Sequence, residues 1–153
     1  MRVLLCAALA LTMLACGGAA DKAPPAEAPP APVKDLTSIL PADGRVATRV
    51  VPNHILDQAK MPGGTLGDYE VKGKKYQLFI LEAASSQKAA FLLLDVKGAL
   101  QDAEYIPYMG GYYGLQGSTP VYVFAKLQYL AGVRGLKKDA ADPVAIQLAA
   151  RLR

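Results

Sequence analysis

A proline- and alanine-rich stretch near the N-terminus limits what this chain can fold into. Residues 17–34 read GGAADKAPPAEAPPAPVK, and Val33 is their only large apolar side chain. Such a segment lacks the apolar surface that offsets the entropy of ordering, and its prolines favour an extended conformation of about 3.1 Å per residue. The chain has 153 residues, so about 120 remain for a core. We therefore predict a single domain at residues 35–153.

The residues before this stretch have the pattern of a secretory signal peptide. Arg2 supplies a positive charge, and residues 3–14 form an apolar run that only Thr12 interrupts. A transmembrane helix needs about 20 apolar residues, so this run is too short to remain as a membrane span. We expect residues 1–15 to be a cleaved leader.

The cleavage region, Thr12-Met13-Leu14-Ala15-Cys16-Gly17, resembles the lipobox of bacterial lipoproteins. Met13 takes the aliphatic position of that motif, and Cys16 takes the position of the lipidated residue. The resemblance implies cleavage before Cys16, acylation of its sulfur and new amine, and lasting attachment to membrane lipid, with residues 16–34 as the lipidated Cys and its tether. Gly17 resembles the signal for outer-membrane sorting in Gram-negative relatives, on the periplasmic side or the surface. The alternative is an ordinary signal peptide cut near Ala20.

The composition excludes several kinds of site from the domain. Both cysteines lie in the first sixteen residues, so residues 35–153 hold neither a disulfide nor a thiolate metal site. Lys and Arg number 17 against 13 Asp and Glu, and the net charge of +4 is spread along the chain without a basic arm. One His with scattered carboxylates gives no metal-ligand cluster, and no phosphate-binding glycine motif occurs. We expect no metal, no cofactor and no nucleic-acid partner.

Hydrophobic patterning predicts an α+β domain. The first predicted elements are a weak strand over residues 45–51, two helical turns over 53–60 closed by Pro62-Gly63-Gly64, and a hairpin over 69–81 with its turn at Lys72-Gly73-Lys74. A helix follows over residues 87–97, with Ser85 and Ser86 as candidate N-caps and Gly98 as its end. The last predicted elements are a strand pair over 120–126 and 128–133 and a terminal helix, which has Asp142 as its cap and Pro143 at its first position and buries Val144, Leu148 and Leu152. The order hairpin, helix, two or three strands, helix predicts an antiparallel sheet of about four to five strands with two helices on one face.

The stretch from Tyr76 to the end also resembles an uncharacterised family of exported bacterial domains. In that family an alanine-rich helix precedes a glycine-aromatic segment and a Val/Tyr strand pair. The matching residues are Ala89-Ala90-Phe91, Gly110-Gly111-Tyr112-Tyr113-Gly114 and Val121-Tyr122-Val123-Phe124. The resemblance implies an exported domain and brings no known activity.

Tyrosines are concentrated between residues 105 and 122, where five of the eight occur. Tyrosine suits contact surfaces because it presents a large apolar ring with a polar tip. The candidate surface for an envelope protein or glycan partner consists of Tyr105, Tyr108, Tyr112 and Tyr113. The alternative is that alternate tyrosines fill the core face of the sheet while the neighbouring glycines permit turns. If the chain is extended there, Tyr112 and Tyr113 point to opposite sides, so at least one faces solvent or a partner.

Catalysis has one candidate centre, at His54. Asp57 reaches this histidine if the segment is helical, and Ser85, Ser86 or Ser118 would complete a Ser-His-Asp set. The nucleophile motif G-x-S-x-G does not occur. We therefore expect a lipid-anchored cell-envelope protein with a small binding or accessory domain. A cofactor-free hydrolase centred on His54 and a purely structural envelope lipoprotein are the alternatives.

Overall fold

Two antiparallel meanders, each followed by a helix, build the domain. The computed structural model describes residues 32–153. In chain order the elements are β1 (Arg45–Asn53), a 3₁₀ turn (Ile55–Asp57), β2 (Pro62–Val71), β3 (Lys74–Glu82), α1 (Ser86–Ala99), β4 (Gln101–Ile106), β5 (Gly111–Gln116), β6 (Thr119–Lys126), β7 (Tyr129–Arg134) and α2 (Lys138–Arg151). The last strands of the two meanders, β3 and β7, pair antiparallel at the centre. The result is one seven-stranded sheet in the order β1-β2-β3-β7-β6-β5-β4.

The sequence-based prediction of the sheet is wrong in two respects. The sheet has seven strands rather than four to five, and the two helices lie on opposite faces rather than on one. On β3, Leu78 packs in the cluster that contains Leu148 of α2, whereas the next residue, Phe79, packs with Val96 of α1. Because successive side chains of a strand point to opposite faces, both faces of the central strands are apolar and each needs its own cover.

Each face of the sheet is closed by a helix and a loop. On one face α1 lies over β5, β6 and β7, and the loop after β1 completes the cover with Ile55, Leu56 and Met61. On the other face α2 lies over β6 and β7, and the segment before β1 completes the cover with Leu36 and Leu40. All five of these loop side chains are at most 3% exposed. The loops are therefore part of the core.

The segment before β1 is held on the sheet by two buried hydrogen bonds. The backbone N–H of Leu36 donates to Thr65 Oγ1 at 3.0 Å, and the hydroxyl of Tyr69 donates to the carbonyl of Pro41 at 2.6 Å. Both bonds pair polar groups that burial would otherwise leave unsatisfied. These two bonds therefore attach the segment from Leu36 to Pro41 to strand β2.

Several predicted elements are confirmed. The hairpin of β2 and β3 turns at Lys72 and Gly73, which both have positive φ, and α1 starts after Ser85, whose Oγ accepts the N–H of Lys88 at 3.1 Å. Ser86, the other candidate cap, is the first helical residue, and Gly98 does not end the helix, which continues to Ala99. The weak strand before residue 52 is β1, and the late strand pair is β6 with β7. In that pair Leu127 takes the positive φ that a two-residue turn needs, in place of the usual glycine.

The predicted start of the last helix is wrong. It begins at Lys138 rather than at Asp142, so Pro143 lies inside the helix and Asp142 is not its cap. Ala141 is fully buried against the sheet, and this contact in the first turn stabilises helix that the proline alone would disfavour. Leu148 and Leu152 are buried as predicted, and Val144 is half-buried.

The predicted helical turns over residues 53–60 are also replaced. Asn53 ends β1, only Ile55–Asp57 form a short 3₁₀ turn, and His54, Leu56 and Asp57 adopt positive φ. Burial of two consecutive apolar residues, Ile55 and Leu56, decides this irregular path. Pro62-Gly63-Gly64 does not end a helix but begins β2. Gly63 is required there, because an added Cβ would lie 2.2 Å from the carbonyl oxygen of Val51.

Strands β4 and β5 were not predicted, because the glycines between residues 110 and 117 indicate turns. Gly110 and Gly117 do occupy turns with positive φ, but Gly111 and Gly114 lie within β5. Pairing with neighbours on both sides outweighs the low strand propensity of glycine. Tyr105 lies opposite Tyr112, and Tyr112 lies opposite Val123 of β6.

Two residues of α2 give a matched test of helix docking. Leu148 is fully buried and Ile146 is 47% exposed. We expect Leu148→Ala to lower the free energy of unfolding by about 2–5 kcal/mol, because it leaves a cavity under the helix. Ile146→Ala should change it by no more than about 0.5 kcal/mol. Urea unfolding measures both, and equal effects would show that α2 is not docked on the sheet.

Candidate functional site

The β4–β5 hairpin carries the four tyrosines of the candidate surface, two of them as a pair on the α1 face. Tyr105 and Tyr112 lie directly opposite each other, with ring centroids 5.3 Å apart. Lys97, in the last turn of α1, places its Nζ 5.3 Å from the centroid of the Tyr112 ring, within the range of a cation–π contact. Tyr105 is 54% exposed and Tyr112 is half-buried. This face of the hairpin therefore presents aromatic surface beside a positive charge.

The other two tyrosines belong to the α2 face. Tyr113 packs edge-on against Tyr122, with ring centroids 6.4 Å apart, and is half-buried. Tyr108 lies in the turn between the strands and is 65% exposed. The prediction that Tyr112 and Tyr113 point to opposite sides is confirmed. The hairpin thus carries all four tyrosines, but it places Tyr105 and Tyr112 on one side of the sheet and Tyr108 and Tyr113 on the other.

Asp142 ties the tip of this hairpin to α2. Its Oδ1 accepts the hydroxyl of Tyr122 at 2.8 Å and also that of Tyr108. Burial raises the pKa of Tyr122 well above its usual range, and its hydrogen bond to Asp142 raises that pKa further. The hydrogen bond that Tyr108 makes to Asp142 likewise raises the pKa of Tyr108. Both phenols therefore stay protonated and act as hydrogen-bond donors.

A second contact fixes the base of the hairpin. Lys138, the first residue of α2, pairs with Glu104 of β4. Sequence reasoning missed Lys97, Lys138 and Asp142 as site residues, because each lies on a helix that only the tertiary structure brings to the hairpin. The one available signal was that a buried Tyr122 hydroxyl needs an acceptor, and that does not say which residue supplies it.

The structure does not bring together the groups of the alternative hydrolase centre. His54 is exposed in a loop, and the carboxylate of Asp57 pairs with Arg134 at 3.0 Å. The hydroxyl of Ser85 caps α1, Ser86 is the first residue of that helix, and Ser118 lies in the β5–β6 turn. Within residues 32–153, no hydrogen bond joins the His54 side chain to a carboxylate or a hydroxyl.

A cleft of about 620 Å³ lies where β1 ends and β2 begins. Its walls include Pro52, Pro62 and Gly64, and residues 32–34 run along it. An ion pair of Lys34 with Glu82, at 2.8 Å, closes one side; its hydrogen bond raises the pKa of the lysine and lowers that of the carboxylate. The cleft therefore holds residues 32–34, the last three residues before the predicted domain, and its two charged side chains, Lys34 and Glu82, are paired with each other.

The described part of the chain offers no alternative centre of metal chemistry. Among residues 32–153, no three or more His, Cys, Asp or Glu side chains cluster in a way that would hold a metal ion. No helix within the same range has both the length and the apolar character needed to cross a bilayer. Cys16, the predicted lipidation site, lies outside the described residues. Comparisons with protein-family models, with curated proteins and with solved structures gave no match to this chain.

The raised pKa of Tyr122 leads to an expected dependence of stability on pH. The folded hydroxyl keeps its proton above the usual pKa of about 10, whereas the unfolded one loses it there. The contribution of this hydroxyl to the free energy of unfolding is therefore complete below about pH 10. Above that pH the contribution falls, by at most about 1.4 kcal/mol per pH unit for this one proton. Tyr122→Phe should lose less stability between about pH 8 and 11 in urea unfolding. An equal loss in both proteins would contradict the assignment.

Proposed function

We propose that this chain is a lipid-anchored protein of the cell envelope whose single domain binds a partner through the β4–β5 hairpin. The anchor follows from the lipobox resemblance at Cys16, and the proline-rich stretch supplies a tether of roughly 50 Å. In a Gram-negative cell the residue after the cysteine favours the outer membrane. The partner is an envelope protein or a glycan.

One observation carries the binding proposal: Tyr105 and Tyr108 stay 54% and 65% exposed on a hairpin that is held in place on both sides. Lys97 of α1 contacts this hairpin on one face of the sheet, and Asp142 and Lys138 of α2 contact it from the other helix. Aromatic side chains on a rigid support bind at a low entropic cost, because little ordering is left to occur on contact. If Tyr105 and Tyr108 served only the core, their rings would be buried rather than exposed.

The chemistry of the hairpin suits partners with both an apolar and a polar side. The Tyr105 ring offers a face for stacking against an apolar face of a sugar or a side chain. The Lys97 ammonium group, which lies over the neighbouring Tyr112 ring, offers a donor to a carboxylate or hydroxyl.

The anchor is tested at Cys16. We expect Cys16→Ala to abolish labelling of the exported protein by a palmitate analogue and to leave the precursor uncleaved, because the lipobox is the only membrane signal that we identify. Labelling is measured on immunoprecipitated protein from metabolically labelled cells. Labelling that persists in the variant would refute the anchor and leave the binding surface untouched.

The binding surface is tested at Tyr105, with Phe91 as the matched control. Phe91 is an exposed aromatic residue, at 63%, on the outer side of α1. We expect Tyr105→Ala to weaken capture of the partner from crosslinked membranes about tenfold or more, as for a central aromatic contact. Phe91→Ala should leave capture unchanged, and neither substitution should shift the melting temperature by more than a few degrees. Equal capture by both variants would refute the role of the hairpin.

A further inference from the structure

The first strand of the sheet, β1, is an edge strand that is exposed on both of its faces. Of its nine residues only Arg45 and Val51 are half-buried, and the rest are exposed. Val50 is a large apolar residue that remains 40% exposed there. An edge strand presents unpaired N–H and C=O groups, which form a template for a further strand.

The hydrogen-bond pattern within residues 32–153 shows which backbone groups of β1 have no partner in that range. The N–H of His54 donates to the carbonyl of Met61 at 2.8 Å, and these two residues continue the register of the β1–β2 ladder. Bonded and non-bonded pairs alternate along an antiparallel ladder, so Thr48 and Val50 also direct their backbone groups towards β2. By the same alternation the backbone groups of Pro52 point towards β2. The N–H that proline lacks is therefore missing on the β2 side, and the outer edge of β1 keeps its N–H groups. The backbone groups that point outward in the regular run are those of Ala47, Arg49, Val51 and Asn53.

The opposite edge of the sheet lacks such a regular run. In β4 the register shifts between Gln101 and Glu104, and Asp102 has a positive φ of 51°. Bulges and charged side chains are the usual means by which a sheet edge avoids further pairing. On β1 the corresponding shift is confined to Arg45–Ala47, and the ladder from residue 47 to residue 53 keeps a constant register.

We propose that β1 pairs antiparallel with β1 of a second copy of this chain, about a two-fold axis at Val50, so that two seven-stranded sheets become one. Val50 is the middle residue of the regular run 47–53. In this register Val50 faces Val50 of the second copy, and Arg49 faces its Val51, so no like charges lie directly opposite. A pairing centred on Arg49 would instead oppose two guanidinium groups. The charge of Arg49 is already paired with Asp68, at 2.8 Å.

The position of the tether favours the same arrangement. The cleft through which residues 32–34 leave the domain is lined by Pro52 and Asn53, two and three residues beyond Val50. Both tethers therefore start near the two-fold axis, and their reach of roughly 50 Å allows both copies to sit on one membrane. Attachment to one surface raises the effective concentration, which stabilises an otherwise small interface. This last step alone rests on the proposed anchor at Cys16.

Disulfide trapping tests the register with two variants of the same strand. In the proposed pairing the Val50 positions form a non-hydrogen-bonded pair about 4.5 Å apart at Cα, within the range for a disulfide of about 4.4–6.8 Å. The two Thr48 positions would be about 13 Å apart, because four residues separate them along the strand. Mild oxidation of the full chain carrying Val50→Cys in a Cys6→Ser, Cys16→Ala background, where residue 50 supplies the one thiol, should convert most of it at raised concentration to a band of twice the mass. Thr48→Cys in the same background should remain at single mass, at least about tenfold less crosslinked.

Amide exchange tests the unsubstituted chain and does not depend on a variant. The amides of Arg49 and Val51 should exchange at least about tenfold more slowly at high protein concentration than at low, because pairing protects them. The amide of Asp102, on the opposite edge, should exchange at the same rate at both concentrations. Equal crosslinking of the two cysteine variants, or exchange of Arg49 and Val51 that does not depend on concentration, would overturn the proposal.

The same measurements separate this proposal from the proposed anchor. With Cys16→Ala the anchor is lost and β1 is unchanged. If trapping at Val50→Cys persists in that background at raised concentration, the pairing stands without the lipid. If labelling at Cys16 succeeds and trapping fails, the anchor stands and the pairing is wrong.

Discussion

The antiparallel pairing of β3 with β7 is the interaction on which the rest of this structure depends. It joins two meanders into one sheet and places their most apolar strands at the centre, where Phe79 lies opposite Gly132. An added Cβ at Gly132 would lie 2.6 Å from the Phe79 ring, so the glycine leaves the space that the ring fills. Because the central strands are apolar on both faces, the sheet has to be covered on both faces, and each helix covers one of them.

The candidate surface results from this placement of the two helices on opposite faces of the sheet. The hairpin of β4 and β5 lies at the edge of the sheet, where neither helix covers it completely, yet residues of both helices reach it. Lys97 contacts it from one face and Asp142 from the other. Tyr105 and Tyr108 are therefore exposed side chains on a fixed support. That combination favours binding over a purely structural role, because exposed aromatic groups add little to the core.

Elements with a strong local signal were predictable, and elements that depend on partners were not. Lys72-Gly73 between alternating strands identified the first hairpin, and the pair Ser85-Ser86 identified the start of α1 to within one residue, since turn and cap chemistry act within a few residues. The β4–β5 hairpin escaped detection because its glycines oppose a strand locally and only pairing with β6 stabilises it. The start of α2 was misplaced because burial of Ala141 extends the helix beyond the proline.

The sequence by itself predicted a single domain at residues 35–153, a candidate surface made of four tyrosines on one segment, and Cys16 as the candidate for lipidation. These conclusions rest on composition and on spacings of a few residues. The tertiary structure decided the number of strands, the placement of the helices on opposite faces, the exposure of each tyrosine and the free edge at β1. Those features arise from contacts between residues far apart in the chain, whose free energies depend on burial and pairing that no local pattern records.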